Sequence, residues 1–200
     1  MRSFLTAVLV LAAVAPTAGA VTVPAGTAPC PPKKHDKRVT VLSRTAKSVI
    51  FERRGRTIAC WRPAKRAWAL GRGAAVSAVV GEQLAYGAGD EVRLLQLPTG
   101  EATTVDHAVD TGSAVSGAKV TSVVLRGDGA IAWIGEATSG GAVVRQVRQV
   151  GGLLGTGSGI DPTSLRLKGD RVAWTQSGVE RSAPLTLPAP NEPAETAAAR

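Results

Sequence analysis

The chain carries two histidines in 200 residues, His35 and His107. His107 lies between Asp106 and Asp110 in the run VDHAVD, so three side chains of metal-ligand type fall on one short stretch. No further ligand stands near them in sequence, and a solvated loop is the expected reading. Nucleophilic catalysis needs Ser or Cys beside a base, and there is no Gly-x-Ser-x-Gly turn and little histidine to supply the base. The glycine-rich run GGLLGTGSG at 151–159 leads to Asp161-Pro162 and a further strand pattern, where a phosphate loop would open a helix. The Gly-Asp pairs at 89–90, 127–128 and 169–170 have the chemistry of turns and lack the alternating carboxylates of a calcium loop. The sequence therefore predicts no catalytic residue, no metal site and no cofactor.

Two features remain that can act on other molecules. Cys30 and Cys60 are the only cysteines. In an exported chain an even count predicts a disulfide, with two free thiols as the alternative. A lipid anchor at Cys30 is disfavoured by Pro29 at the cleavage position. The second feature is charge. Residues 21–72 hold 13 Lys/Arg against Asp36 and Glu52, whereas 73–200 hold 10 Lys/Arg against 13 Asp/Glu. Lys33, Lys34, Lys37, Arg38, Arg53, Arg54, Arg56 and Arg62 are the candidate residues for contact with a polyanion, since a concentrated positive field attracts such partners without specific geometry. A solvated face is the competing reading. No specific nucleic-acid motif is present.

The elements that would carry these residues follow from the rest of the chain. Residues 1–20 combine Arg2, an apolar run from Phe4 to Ala15 and Ala18-Gly19-Ala20, the layout of a secretory signal peptide. The apolar run is too short to span a bilayer, which takes roughly 20 residues. A secreted or extracytoplasmic bacterial protein with no transmembrane span in its mature chain is expected. Residues 21–37 form a basic, proline-containing arm, and 188–200 a Pro/Ala-rich tail of disordered composition.

Between arm and tail, one short phrase recurs. The cores Val49-Ile50-Phe51, Leu84-Ala85-Tyr86, Ile131-Ala132-Trp133 and Val172-Ala173-Trp174 place an aromatic at spacings of 35, 47 and 41 residues. An alternating apolar run precedes each (39–42, 76–80, 120–125, 164–167) and a third strand follows (56–61, 91–97, 142–150, 178–185). The first three copies offer a fourth strand in RAWAL, EATTV and GLLGT; the last does not. Alternating runs cut by Gly-Asp, Gly-Gly and Thr-Gly turns read as antiparallel hairpins, and no helical stripe appears. Four-stranded units repeating near forty residues predict a β-propeller, whose blades hide their aromatics against each other. The repeats run approximately 38–72, 73–115, 116–160 and 161–187.

LRGDGAIAWIGE at 125–136 resembles the repeat of TolB-type, WD-like bacterial propellers, and VRLLQLPTGEATTV at 92–105 resembles the next strand pair of that repeat. The likeness covers about 38–187, marks a blade and implies no activity. The expected fold is all-β, a four-bladed or open-arc propeller of antiparallel sheets, with a β-sandwich of the same strands as alternative. For closure, VTVPAG at 21–26 is the candidate fourth strand of the last blade; otherwise 21–37 is a flexible linker.

The inner runs contain no His, Asp or Glu, which argues against a central-channel metal. The expected function is an exported, non-enzymatic binding domain engaging an anionic envelope polymer or another protein. The alternatives are a small propeller-type hydrolase or lyase and a truncated propeller without activity of its own. An unpaired blade edge leaves an oligomer open.

Overall fold

The computed structural model describes residues 20–26, 28–32, 38–110 and 115–187. The expected signal peptide apart from Ala20, Lys33, Lys34 and Lys37 of the arm, and the tail from 188 onwards lie outside the described residues. The described residues are all-β, and no helix among them is long and apolar enough to cross a membrane.

Among the described residues, fifteen strands make four antiparallel sheets. The first holds β2 (Val39–Arg44), β3 (Ser48–Arg53), β4 (Arg56–Trp61) and β5 (Arg66–Arg72) in that order. The second holds β6 (Gln83–Ala88), β7 (Glu91–Gln96) and β8 (Glu101–His107), with β1 (Ala20–Thr22) added beside β8. The third is β9 (Ser116–Leu125), β10 (Ile131–Ser139), β11 (Ala142–Gln149) and β12 (Gly152–Thr156). The last has only three strands, β13 (Arg166–Lys168), β14 (Arg171–Gln176) and β15 (Val179–Pro184). Except at β1, every strand pair joins strands consecutive in the chain, because each turn is short enough to fold the next strand straight back. At Arg54-Gly55 and Ser177-Gly178 both central residues have positive φ, as a two-residue hairpin requires.

Strand alternation gives each sheet two apolar faces, and neighbouring sheets cover one another. Leu84 and Tyr86 pack with Ile50, Ala59 and Trp61 of the first sheet. Ala85, on the opposite face of β6, packs with Val123 and Trp133 of the third. Ala132 and Ile134 meet Val172 and Trp174 of the last. Each aromatic thus faces the sheet before it, and the small or apolar residue preceding it faces the sheet after. Phe51 has no sheet before it; it packs among Val49, Ile58 and Cys60 with Ala28 and Cys30 of the arm alongside. The four aromatics are between 0 and 4% exposed and lie on β3, β6, β10 and β14. Their cross-strand partners correspond too: Val41, Val76 and Val123 on one side of Phe51, Tyr86 and Trp133, and Arg93, Arg148 and Arg181 on the other side of Tyr86, Trp133 and Trp174. No core cluster of the described residues joins the last sheet back to the first.

Polar contacts tie the stack at its edges. Trp68 Nε1 donates to Leu97 O at 2.8 Å, linking the first two sheets. Trp133 Nε1 donates to His107 O and Ala108 O at 3.1 and 3.2 Å, linking the next two. Arg126 Nη1 donates to Asp170 O at 2.9 Å, joining the turns of the last two. The same Arg126 guanidinium holds the Asp128 carboxyl down to about 2.

Two strand expectations are corrected. The run 76–80 is not a strand; only Val76 and Val80 form isolated bridges, to Tyr86 and Gln83. Ser77 explains this locally, since its hydroxyl accepts the Ala85 amide at 3.1 Å while its own amide donates to Ala85 O. The arm residues 21–26 do not complete the last sheet. Val21 and Thr22 pair with Ala102 and Glu101 in β8, and Ala25 bridges Trp68 in β5. The arm is held there by backbone bonds from Val23 N to Gly100 O, Ala69 N to Pro24 O and Gly26 N to Ala67 O.

Sheet spacing is tightest at Gly135. A Cβ placed there would lie 1.7 Å from Ala108 O, so only glycine lets β10 pass the 107–110 loop. Gly135→Ala is expected to destabilise by about 3 kcal/mol, the upper end of ordinary overpacking costs. Chemical denaturation measures it, and an unchanged midpoint would show that the two segments do not touch.

Candidate anion-binding site

The outer face of the first sheet, the one turned away from the second sheet, is built by register. Antiparallel partners point to the same face, so β3, β4 and β5 contribute side chains in rows. Val49, Cys60 and Ala67 form one row, and Phe51, Ile58 and Ala69 the next. Arg53, Arg56 and Arg72 form the third, at the sheet's end. The arm covers the apolar rows. Cys30 bonds to Cys60 with Cα atoms 5.4 Å apart, and Ala28 lies against the same cluster. A formed disulfide belongs to an oxidising compartment, which fits the expected export.

The described arm residues Gly26 and Ala28 face the arginine row. Between them is a cavity of about 360 Å³. Its charged side is Arg53, Arg54, Arg56 and Arg72; its floor is Ile58 and Ala69; its far wall is Gly26 and Ala28 of the arm. Arg54 joins the row from the hairpin turn, where its φ of 53° is accommodated beside Gly55. Like charges on directly opposed strand positions repel. Yet Arg54, Arg56 and Arg72 make no salt bridge or side-chain hydrogen bond among the described residues. Of the chain's other arginines, Arg44, Arg66 and Arg181 likewise make no such contact among the described residues, whereas others are paired. Arg93 pairs with Glu91, Arg145 with Glu136 at 2.6 Å, and Arg166 with Glu180.

Of the residues singled out in the sequence, the structure gathers Arg53, Arg54 and Arg56 at this cavity. Arg38 immediately precedes Val39, the partner of Arg53 across β2 and β3. Arg62 is elsewhere: it sits at the opposite end of β4, where Nη1 donates to Ala46 O at 3.1 Å. Arg72, one of the 13 cations of residues 21–72 and outside the eight named candidates, completes the row. The signal was present in the pairing of RTIACW with the following strand, but the bulge between Thr57 and Ile58 shifts the register that counting alone would give.

The Asp106, His107 and Asp110 stretch meets an arginine. The Arg148 guanidinium lies between the two carboxylates, 3.6 Å from Asp106 and 3.8 Å from Asp110, and so occupies the place of a cation. Arg148 also stacks over Trp133 at 5.9 Å, while Gln146 exchanges hydrogen bonds with the backbone of Asp110. No group of three or more His, Cys, Asp or Glu able to hold a metal exists among the described residues.

Comparisons with family models, curated proteins and solved structures found no match.

Proposed function

We propose that this chain is an exported, non-enzymatic binding domain, an open arc of propeller-type blades that engages an anionic envelope polymer through the outer face of its first sheet. The observation that carries the reading is the row Arg53, Arg56 and Arg72 with Arg54 beside it, a positive surface without described carboxylate partners for three of its four members. A succession of four antiparallel sheets stacked through three cores supports the open arc. A polymer that spans the row displaces counterions from itself as guanidinium groups replace them, so affinity comes with a strong salt dependence.

The test is a salt series with the mature protein against a phosphate-bearing wall polymer. Affinity should fall steeply between about 50 and 200 mM salt, by one to several orders of magnitude if several phosphates are engaged. Absence of binding at low salt would end the reading and leave a truncated propeller without activity of its own.

A further inference from the structure

We infer that the cavity between the arm and the arginine row is a discrete site for a phosphate monoester carried on a sugar-sized body. The inference rests on the reading of this face as an anion-binding surface and deepens it by naming the group bound.

Charge sets the first requirement. Four arginines line one cavity, Arg54, Arg56 and Arg72 without a partner among the described residues, and no lysine is among its described lining residues. Arginine presents a planar fork that matches the oxygens of phosphate two at a time, which a lysine ammonium does not. Repulsion between the directly opposed Arg56 and Arg72 is relieved most by a ligand bearing close to two negative charges on one centre. A phosphate monoester carries about −1.5 to −2 at neutral pH. A diester, with one charge, leaves more of the repulsion in place.

Size and lining set the second. At about 360 Å³ the cavity falls at the small end of small-molecule sites, which span roughly 300–1,000 Å³, and it exceeds what a bare anion fills. The floor of Ile58 and Ala69 and the wall of Gly26 and Ala28 offer no side-chain donor or acceptor. Against these described residues the rest of the ligand packs by contact, as the C–H face of a sugar or small polyol does, with its hydroxyls toward the open side. The wall itself is fixed, because Gly26 N donates to Ala67 O at 2.7 Å and the disulfide follows four residues later.

Such a monoester can reach the protein free or as a lipid headgroup, so the test has arms for both. Calorimetry of the oxidised mature protein would use glucose 6-phosphate, glucose, inorganic phosphate and vesicles containing phosphatidic acid. Glucose 6-phosphate is expected to bind about tenfold or more tightly than inorganic phosphate, with glucose alone not binding. Arg72→Gln should weaken the ester by about tenfold or more, the loss of one charge-assisted pair, without lowering the melting temperature, since it removes a like-charge neighbour of Arg56. Arg54→Gln, on an exposed turn, gives the same readout if Arg72→Gln fails to fold. Vesicle binding with the same dependence on Arg72 identifies a headgroup as the source; binding of the free ester alone identifies a soluble one. Equal affinity for inorganic phosphate and the ester overturns the sugar-sized body. Loss of ester binding while the wall polymer still binds with its salt dependence overturns the discrete site and keeps the broader reading. Loss of both removes both.

Discussion

Trp133→Ala is expected to lower stability by about 3–5 kcal/mol, the range for removing a large aromatic from a packed interior. Trp133 is fully buried between the second and third sheets. Its ring lies under Arg148, and its Nε1 is shared between His107 O and Ala108 O, so its loss also leaves the buried Ala108 carbonyl short of a donor. Trp133→Phe separates the two contributions: it keeps most of the ring contact and should still cost about 1–3 kcal/mol for the broken bonds. Trp174 gives the opposite result for the same exchange. Its Nε1 is buried with no hydrogen-bond partner among the described residues, so Trp174→Phe removes an unsatisfied donor and should change stability by less than about 1 kcal/mol. Denaturant midpoints decide. A loss under about 1 kcal/mol for Trp133→Ala would mean that the second and third sheets are not packed on one another.

The double replacement Cys30→Ala and Cys60→Ala is expected to cost about 3–4 kcal/mol in the chain-entropy account of a cross-link closing about thirty residues. The effect on binding should be smaller than the effect on stability. Gly26 stays docked through Ala67 O and Ala69 N stays bonded to Pro24 O, so one part of the cavity wall survives. Ala28, which is anchored through the disulfide, loses its hold. Polymer affinity should fall while its salt dependence remains. Stability that is identical with and without the disulfide would show that the arm stays docked through its backbone contacts alone; affinity unchanged by its removal would show that Ala28 is no part of the wall.

Strand positions were legible because short apolar runs, continuous where both faces are buried and alternating where one is, are cut by glycine turns. The third strands at 56–61, 91–97, 142–150 and 178–185 correspond within a residue or so to β4, β7, β11 and β15. The recurring aromatic was legible because its setting repeats: in three sheets a Val across one strand and in three an Arg across the other. The run 76–80 has the same alternation, yet a single serine hydroxyl competes for the Ala85 amide, and no apolar pattern records that competition. The arm was illegible in another way. Its sequence shows a strand and a cysteine but not which edge receives it, because the choice between β8 and the last sheet is made by contacts about eighty residues away. The site was half legible. Arg53, Arg54 and Arg56 cluster in sequence, whereas Arg72 joins them only through a bulged pairing, and the cavity exists only once the arm is in place.

That arm also sets an order of events. Every other strand in the molecule pairs with a neighbour in the chain, so each sheet can form as a local meander with little loop entropy to overcome. β1 alone must find a partner across the whole of the first sheet and most of the second. It can dock only after both are built, and it then grips them together, with Val23 in their shared core and Pro24 and Gly26 bonded along β5. The cavity is thus a product of the final step of assembly: a chain whose sheets are complete but whose first residues are still loose has the arginines and lacks the pocket.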